Sequence, residues 1–355
     1  MISTPVYCTR EDVKGALDIA ETARDDQQID RALEGAARSI EGFLHRQFYP
    51  ELTTKSWDWP NWQGAWPWRI WFDEAEVADI TTTVPVVTSG GNVIPAAHIF
   101  WGNPRYAPPY TYLELNRSFS DSFGQGDTPQ RDVQITAVFG YGIDTRAGGA
   151  LAAAVTDTTG TTVTVTDGSQ VGVGDLLLAG SERMLVTGRA NTSSSQTQQG
   201  GGCSTDSMAD NLLTVTDGSK FFPYEVAQLD GERMLILDVT GNLLTVKRAW
   251  DGTVLATHSG ATVYVSRALT VVRGALGTTA ATHLQGAALL AHLVPGLIRQ
   301  LAVAEALNAV LQEQGGYSRT QGNGASAAIG IGMSLGDLRV SAFDMYGRKA
   351  RTRVV

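Results

Sequence analysis

Thr164-Val165-Thr166-Asp167-Gly168-Ser169 returns as Thr214-Val215-Thr216-Asp217-Gly218-Ser219. Glu182-Arg183-Met184-Leu185 returns as Glu232-Arg233-Met234-Leu235. Both pairs stand 50 residues apart (164 to 214, 182 to 232), so the match is a duplicated unit and not a chance hexamer. A second signature repeats at another offset. Leu244-Thr245-Val246-Lys247-Arg248 leads to Gly252-Thr253 and Ala256-Thr257-His258, and Leu269-Thr270-Val271-Val272-Arg273 leads to Gly277-Thr278 and Ala281-Thr282-His283, 25 residues on (248 to 273). One copy inserted into a loop of the other explains both offsets, as does swapping of segments between tandem copies. Thr, Val, Gly and Asp dominate this stretch, and each Asp-Gly is a turn signal because Gly accepts positive φ. The expectation is an all-β domain of two similar modules over residues 149–290. Asp167, Asp175, Asp217 and Glu182 lack the dense ligand spacing of a calcium loop and are read as turn and surface residues. The Ser-, Gln- and Gly-rich stretch 190–210 reads as a flexible surface loop.

Outward from the repeat, the pattern becomes helical on both sides. Thr9-Arg10-Glu11-Asp12 is a capping-box-like start. Ile29, Leu33, Ala36, Ala37, Ile40, Phe43 and Leu44 follow a 3.6-residue period that Pro50 stops. Past the repeat, Pro295 opens a helix with Leu297, Leu301, Val303, Ala304, Leu307, Val310 and Leu311 on a broad apolar face, closed by Gly315-Gly316. Between residues 80 and 141 lie short β-rich runs separated by Gly, Pro and Asn, with a polar loop at 118–131.

Trp57, Trp59, Trp62, Trp66, Trp68 and Trp71 place six of the eight tryptophans within fifteen residues. Three readings stand: an anchor patch for a partner protein, a β-hairpin whose rings seal a small core, or a carbohydrate platform. At the other end, Arg339, Arg348, Lys349, Arg351 and Arg353 make a basic tail on a chain of net charge −9. That tail could grip nucleic acid or dock onto an acidic partner, and its bland reading is a frayed terminus.

The 355 residues are 43% apolar and 18% charged, enough for two folded domains and too apolar for wholesale disorder. The acidic balance argues against a grip on nucleic acid by counterion release. The two cysteines, Cys8 and Cys203, supply neither a disulfide framework nor a zinc site. The start of the chain lacks a signal peptide's basic and apolar regions, and no window of ~18 apolar residues offers a membrane span. The five histidines show no zinc spacing, and nucleophile-elbow, phosphate-loop and dinucleotide fingerprints are missing. The expectation is therefore no enzyme, no cofactor and no metal.

The outer parts resemble the head–tail connector (adaptor) family of long-tailed bacteriophages. The carriers are Tyr7-Cys8-Thr9-Arg10-Glu11-Asp12-Val13-Lys14, the helix end Ile40 to Phe48 with Arg46-Gln47-Phe48, the run Val138-Phe139-Gly140-Tyr141-Gly142, and Val294-Pro295-Gly296-Leu297-Ile298, which comes about 150 residues late. The resemblance implies an α+β fold: a helical connector domain with a small β-part, plus the all-β insertion of two nested similar modules. The implied layout is a first connector segment at 1–148, the insertion at 149–290, a returning helix at 291–316 and an extended tail at 317–355. It also implies a structural virion protein at the head–tail neck, assembled in the host cytoplasm as a ring, twelvefold by the resemblance. Partners would be the portal protein, a stopper or tail terminator and further copies of itself, with the capsid as a further candidate and double-stranded DNA passing through unbound. Arg339, Arg348, Lys349, Arg351 and Arg353, with Trp57, Trp59, Trp62, Trp66 and Trp68, are the partner-binding candidates. The competing class is a glycan-binding or fibre-like β-rich virion protein.

Overall fold

A computed structural model describes residues 2–17, 26–60, 66–103, 107–200, 202–314 and 334–348. It corrects the expected fold class: strands hold 35% of the residues and helices 21%, so the protein is mostly antiparallel β-sheet and not a helical connector domain with a small β-part. The reason is physical. Helical periodicity over four turns is loud in a sequence, whereas strands of three or four residues carry one or two alternations each.

The four described helices are α1 (Arg10–Leu17), α2 (Asp26–Leu44), α3 (Gly296–Gln314) and α4 (Leu335–Tyr346). A reciprocal capping box opens α1: the Thr9 amide donates to Asp12 Oδ2 at 2.9 Å, and the Asp12 amide donates to Thr9 Oγ1 at 3.1 Å. Ile29, Leu33, Ala36, Ala37, Ile40 and Leu44 form the buried stripe of α2, while Phe43 is exposed. The helix stops at Leu44, before Pro50, where His45 takes φ 51°. Helix α4 occupies part of the stretch expected to be an extended tail. No helix among the described residues is long and apolar enough to cross a membrane.

The chain forms two compact units, one of Met1–Ser39, Thr145–Ala275 and Thr279–Ser341, the other of Ile40–Asp144, Leu276–Thr278 and Ala342–Val355. The second unit holds β1 (Glu51–Trp57), β2 (Arg69–Trp71), β3 (Val77–Asp79), β4 (Val86–Ser89), β5 (Asn92–Ile94), β6 (Ile99–Gly102), β7 (Tyr112–Leu115) and β8 (Val133–Phe139). One sheet runs β1-β8-β4-β5 with β3 also on β8, and a smaller one runs β2-β7-β6. Their inner faces share a core that includes Ile70, Phe72, Leu113, Val133, Ile135 and Phe139.

The first unit holds β9 (Thr145–Ala150), β10 (Thr162–Thr164), β11 (Leu176–Ala179), β12 (Glu182–Gln199), β13 (Leu212–Val215), β14 (Val226–Leu229), β15 (Glu232–Thr240), β16 (Leu243–Lys247), β17 (Thr262–Val272) and β18 (Ala288–His292). Their pairings close two small rings. In one, β10, β17, β12, β11, β18 and β9 follow each other, and the bridge Leu151↔Val165 completes the circuit. In the other, β17, β14, β15, β16, β13 and β12 follow each other, and β12 pairs β17 again. Each long strand thus serves both barrels: β12 pairs through Leu185–Ala190 in the first and Thr192–Thr197 in the second. Each barrel has its own apolar core, around Leu177, Met184 and Leu269 in one and Leu229, Met234 and Leu244 in the other.

Two local readings change. The Ser/Thr/Gln stretch Ala190–Gln199 is strand, because its polar side chains tolerate the sheet surface while its backbone pairs with β17 up to Thr197 and with β13 at Gln198 and Gln199. Gly168 and Gly218 are required for close approach and not for positive φ: a Cβ would strike the carbonyl oxygen of Ser266 or of Gly241. Asp167 and Asp217 do cap their turns, each accepting from the amide and hydroxyl of Ser169 or Ser219.

Candidate functional site

The repeated residues meet in two equivalent centres. In the second barrel Glu232 Oε1 accepts from Arg248 Nε at 2.8 Å and the Ala249 amide at 2.9 Å. Its Oε2 accepts from Arg248 Nη2 at 2.7 Å, the Ala256 amide at 2.9 Å and His258 Nε2 at 3.0 Å. In the first barrel Glu182 Oε1 accepts from Arg273 Nε at 2.6 Å and the Gly274 amide at 3.0 Å. Its Oε2 accepts from Arg273 Nη2 at 2.9 Å, the Ala281 amide at 2.9 Å and His283 Nε2 at 2.7 Å. The second centre has one extra member, Asp230, whose Oδ2 lies 2.9 Å from His258 Nδ1. Gly180 holds the equivalent position in the first.

Both carboxylates are fully buried. Burial alone would push each pKa up. The guanidinium, the two backbone amides and the histidine outweigh it and hold each carboxyl at about 2. A carboxylate whose lone pairs are already filled is a poor general base or metal ligand. These centres are staples that pin the loop after β16 or β17 to the start of β15 or β12. Glu182, read above as a turn or surface residue, is therefore a core residue, and Asp175, its side chain 10% exposed, pairs with Arg146 at 2.9 Å. Among the described residues no cluster of three or more His, Cys, Asp or Glu side chains is arranged to hold a metal. Burial also pushes both thiols up, that of Cys203 to about 11, so neither is a ready thiolate.

A cleft of about 510 Å³ opens in the first unit, lined by α1, the Ser169–Gly172 loop, β12 and the second barrel. Its charges are paired. Arg10 holds Asp30 at 2.9 Å and Asp26 at 2.8 Å; Lys14 Nζ bridges Asp26 at 2.7 Å and Asp251 at 2.9 Å. Arg233 reaches Asp251 at 3.0 Å, Arg189 reaches Glu11 at 3.3 Å, and Arg299 holds Asp12 at 2.8 Å. Burial pushes both Asp175 and Asp26 up; it prevails at Asp175 despite Arg146, while Lys14, Arg10 and Arg233 together outweigh it and lower the pKa of Asp26.

The tryptophans divide. Trp57 packs on Phe72 and Phe139, Trp59 on Phe123, and Trp68 against the same core, which is the ring-sealing role. On the outer face of the β2-β7-β6 sheet, Arg69, Glu114 and Phe100 stand in register, as do Trp71, Tyr112 and Gly102. The Arg69 guanidinium lies over Trp66, Trp71 and Tyr112 at 5.3, 5.4 and 4.7 Å and pairs with Glu114. Trp66 is 50% exposed, meets Trp68 edge-on and is free for an outside contact. Trp66→Ala is accordingly expected to leave unfolding stability within about 1 kcal/mol of the parent; chemical denaturation checks it, and a loss above 3 kcal/mol would make Trp66 a core residue. Trp62 lies outside the described residues.

Among the basic candidates, Arg339 pairs with Glu305 at 2.9 Å. Arg348 donates to the Phe72 carbonyl, and its amide donates to the Leu44 carbonyl at 3.0 Å. Lys349, Arg351 and Arg353 lie outside the described residues. Sequence reading missed the two Glu–Arg–His centres, although the signal was present: every member recurs with the repeat. It also missed the charged cleft, whose residues are scattered from Thr9 to Arg299. Comparison with family models, curated proteins and solved structures finds no match to this chain.

Proposed function

We propose that this chain is a non-enzymatic structural subunit of the bacteriophage head–tail neck, a β-rich connector that assembles as a ring beneath the portal and lets DNA pass. The observation that carries the reading is the reunion of the helices. Arg299 of α3 forks onto Asp12 in the capped start of α1, with bonds of 2.8 and 2.9 Å, although some 290 residues of sequence lie between them. Arg31 of α2 reaches Glu313 of α3 at 3.4 Å, and Glu305 of α3 takes Arg339 of α4 at 2.9 Å. Two of the segments that carry the connector resemblance, the starts of α1 and α3, therefore meet in one unit, although the twin barrels stand between them in the sequence. Repulsion between phosphates and an acidic channel would suit DNA passage. With Arg348 engaged inside its own unit, the portal-docking part of the basic tail is Lys349, Arg351 and Arg353.

Electron microscopy of the purified protein mixed with its cognate portal tests this. A ring stacked coaxially on the portal is expected; monomers that ignore the portal would overturn it. The exposed Trp66–Arg69–Tyr112 face favours one second reading, a glycan-binding virion protein. A glycan array that gives a signal lost in Trp66→Ala would select it.

A further inference from the structure

The duplication allows each barrel to serve as a control for the other. Tyr224 of the second barrel corresponds to Gly174 of the first, and both amides make the same bond, to the Ile236 or the Val186 carbonyl. Both residues have positive φ, +70° for Tyr224 and +107° for Gly174. The fold thus needs only glycine here, and a bulky aromatic residue in that region carries backbone strain. The strain gains Tyr224 no packing within the chain, since it is 73% exposed. What it does gain is a place on the wall of the charged cleft.

That cleft holds six cationic and five acidic side chains, a local excess of one positive charge in a chain of net charge −9. Of these cations Arg233 retains donor capacity. Arg233, 43% exposed, spends only Nη1 on Asp251. Arg189, 11% exposed, is committed to the cleft wall, its Nη2 donating to the Gly168 and Ser266 carbonyls at 2.6 and 2.7 Å and its Nη1 reaching Glu11 at 3.3 Å. Tyr and Arg, both in this lining and both partly exposed, are residue types that dominate protein-recognition hot spots. The volume of about 510 Å³ falls within the ~300–1,000 Å³ range of binding pockets.

We propose that this cleft is a docking site for a short acidic peptide segment of a partner protein, with Arg233 taking a carboxylate and Tyr224 covering the segment at the rim. The assignment rests on the cleft alone and stands or falls independently of the connector reading.

Fluorescence anisotropy of the full-length protein with fluorescein-labelled hexaglutamate, at about 50 mM salt to limit screening, tests it. Saturable binding is expected, weakened about tenfold by Arg233→Gln, the equivalent of one charge-assisted contact. Tyr224→Gly is expected to weaken binding similarly while leaving the melting temperature unchanged or higher, because it restores the residue the first barrel uses. A Tyr224→Gly protein that melts lower and still binds would assign the tyrosine to structure and overturn the proposal. So would absent binding, binding indifferent to both substitutions, or displacement by inorganic pyrophosphate as effective as by unlabelled hexaglutamate, which would mark a generic anion site.

Discussion

Glu232→Ala is expected to destabilise the second barrel by about 3–5 kcal/mol, the cost of removing one partner from a buried pair. The pair Arg248–Glu232 has both side chains at 0% exposure, so the substitution strands a guanidinium with no water to take the place of the carboxylate. It also orphans the amides of Ala249 and Ala256, each a loss of ~1–3 kcal/mol where no replacement acceptor reaches them. Arg248 retains its bonds to the carbonyls of Thr205 and Asp210 at 3.0 and 3.1 Å, which places the total nearer the pair value than the sum of all parts. Glu232→Gln should cost less, because one amide oxygen can still serve part of the donor set. Replacing Glu232 and Arg248 together by Leu and Met should recover only part of the loss: apolar packing removes the stranded charge but not the two orphaned amides. Denaturant unfolding gives the magnitude. Hydrogen exchange gives the location, with the amides of β13 to β16 expected to lose protection before those of β9 to β11. A loss below 1 kcal/mol, or loss of protection spread evenly over both barrels, would show that the centre is not a staple.

The repeat made half of this centre visible and hid the other half. Glu182 and Glu232 stand in equal strings, as do Arg248 with His258 and Arg273 with His283, and duplication alone singled the histidines out as structural. What no local pattern contains is the pairing of Glu182 with His283, 101 residues apart, because it depends on how β12 and β17 are threaded through two barrels. The same threading explains the misreading of Ala190–Gln199. Its Ser, Thr and Gln content is that of a loop, and only the pairing with β17 and β13 makes it strand. Helices α2 and α3 were legible because their hydrogen bonds are local and their apolar period repeats over several turns. The tryptophan run was ambiguous for a definite reason. In a three-residue strand such as β2, alternation is too short to say which rings face inward, and only register against β7 and β6 puts Ile70 in the core and leaves Arg69 and Trp71 outside. The strained conformation of Tyr224 was invisible until Gly174 could be laid over it.

Acid should open both barrels late and together. Glu182 and Glu232 have folded pKa values of about 2 against an ordinary 4.5, so the folded state binds their protons more weakly than the unfolded state. Each carboxylate's stabilisation is therefore complete above about pH 4.5 and is lost as the pH falls through about 2. No loss is expected from these two groups between neutrality and pH 5. The Nε–H resonances of Arg248 and Arg273 offer a direct readout, since each hydrogen donates to the carboxylate concerned. Both signals are expected to persist at pH 3.5 and to collapse below it as protonation releases the guanidinium, with Glu232→Gln flattening the acid limb for the second barrel alone. If the two signals vanish near pH 4.5, the centres are ordinary surface-like ion pairs whose burial buys no selectivity between protonation states. If they vanish at widely different pH, the extra carboxylate of Asp230 beside His258, absent from the first barrel where Gly180 stands, is the feature that makes the two staples unequal, because it adds a second negative charge to the one histidine and leaves the other alone.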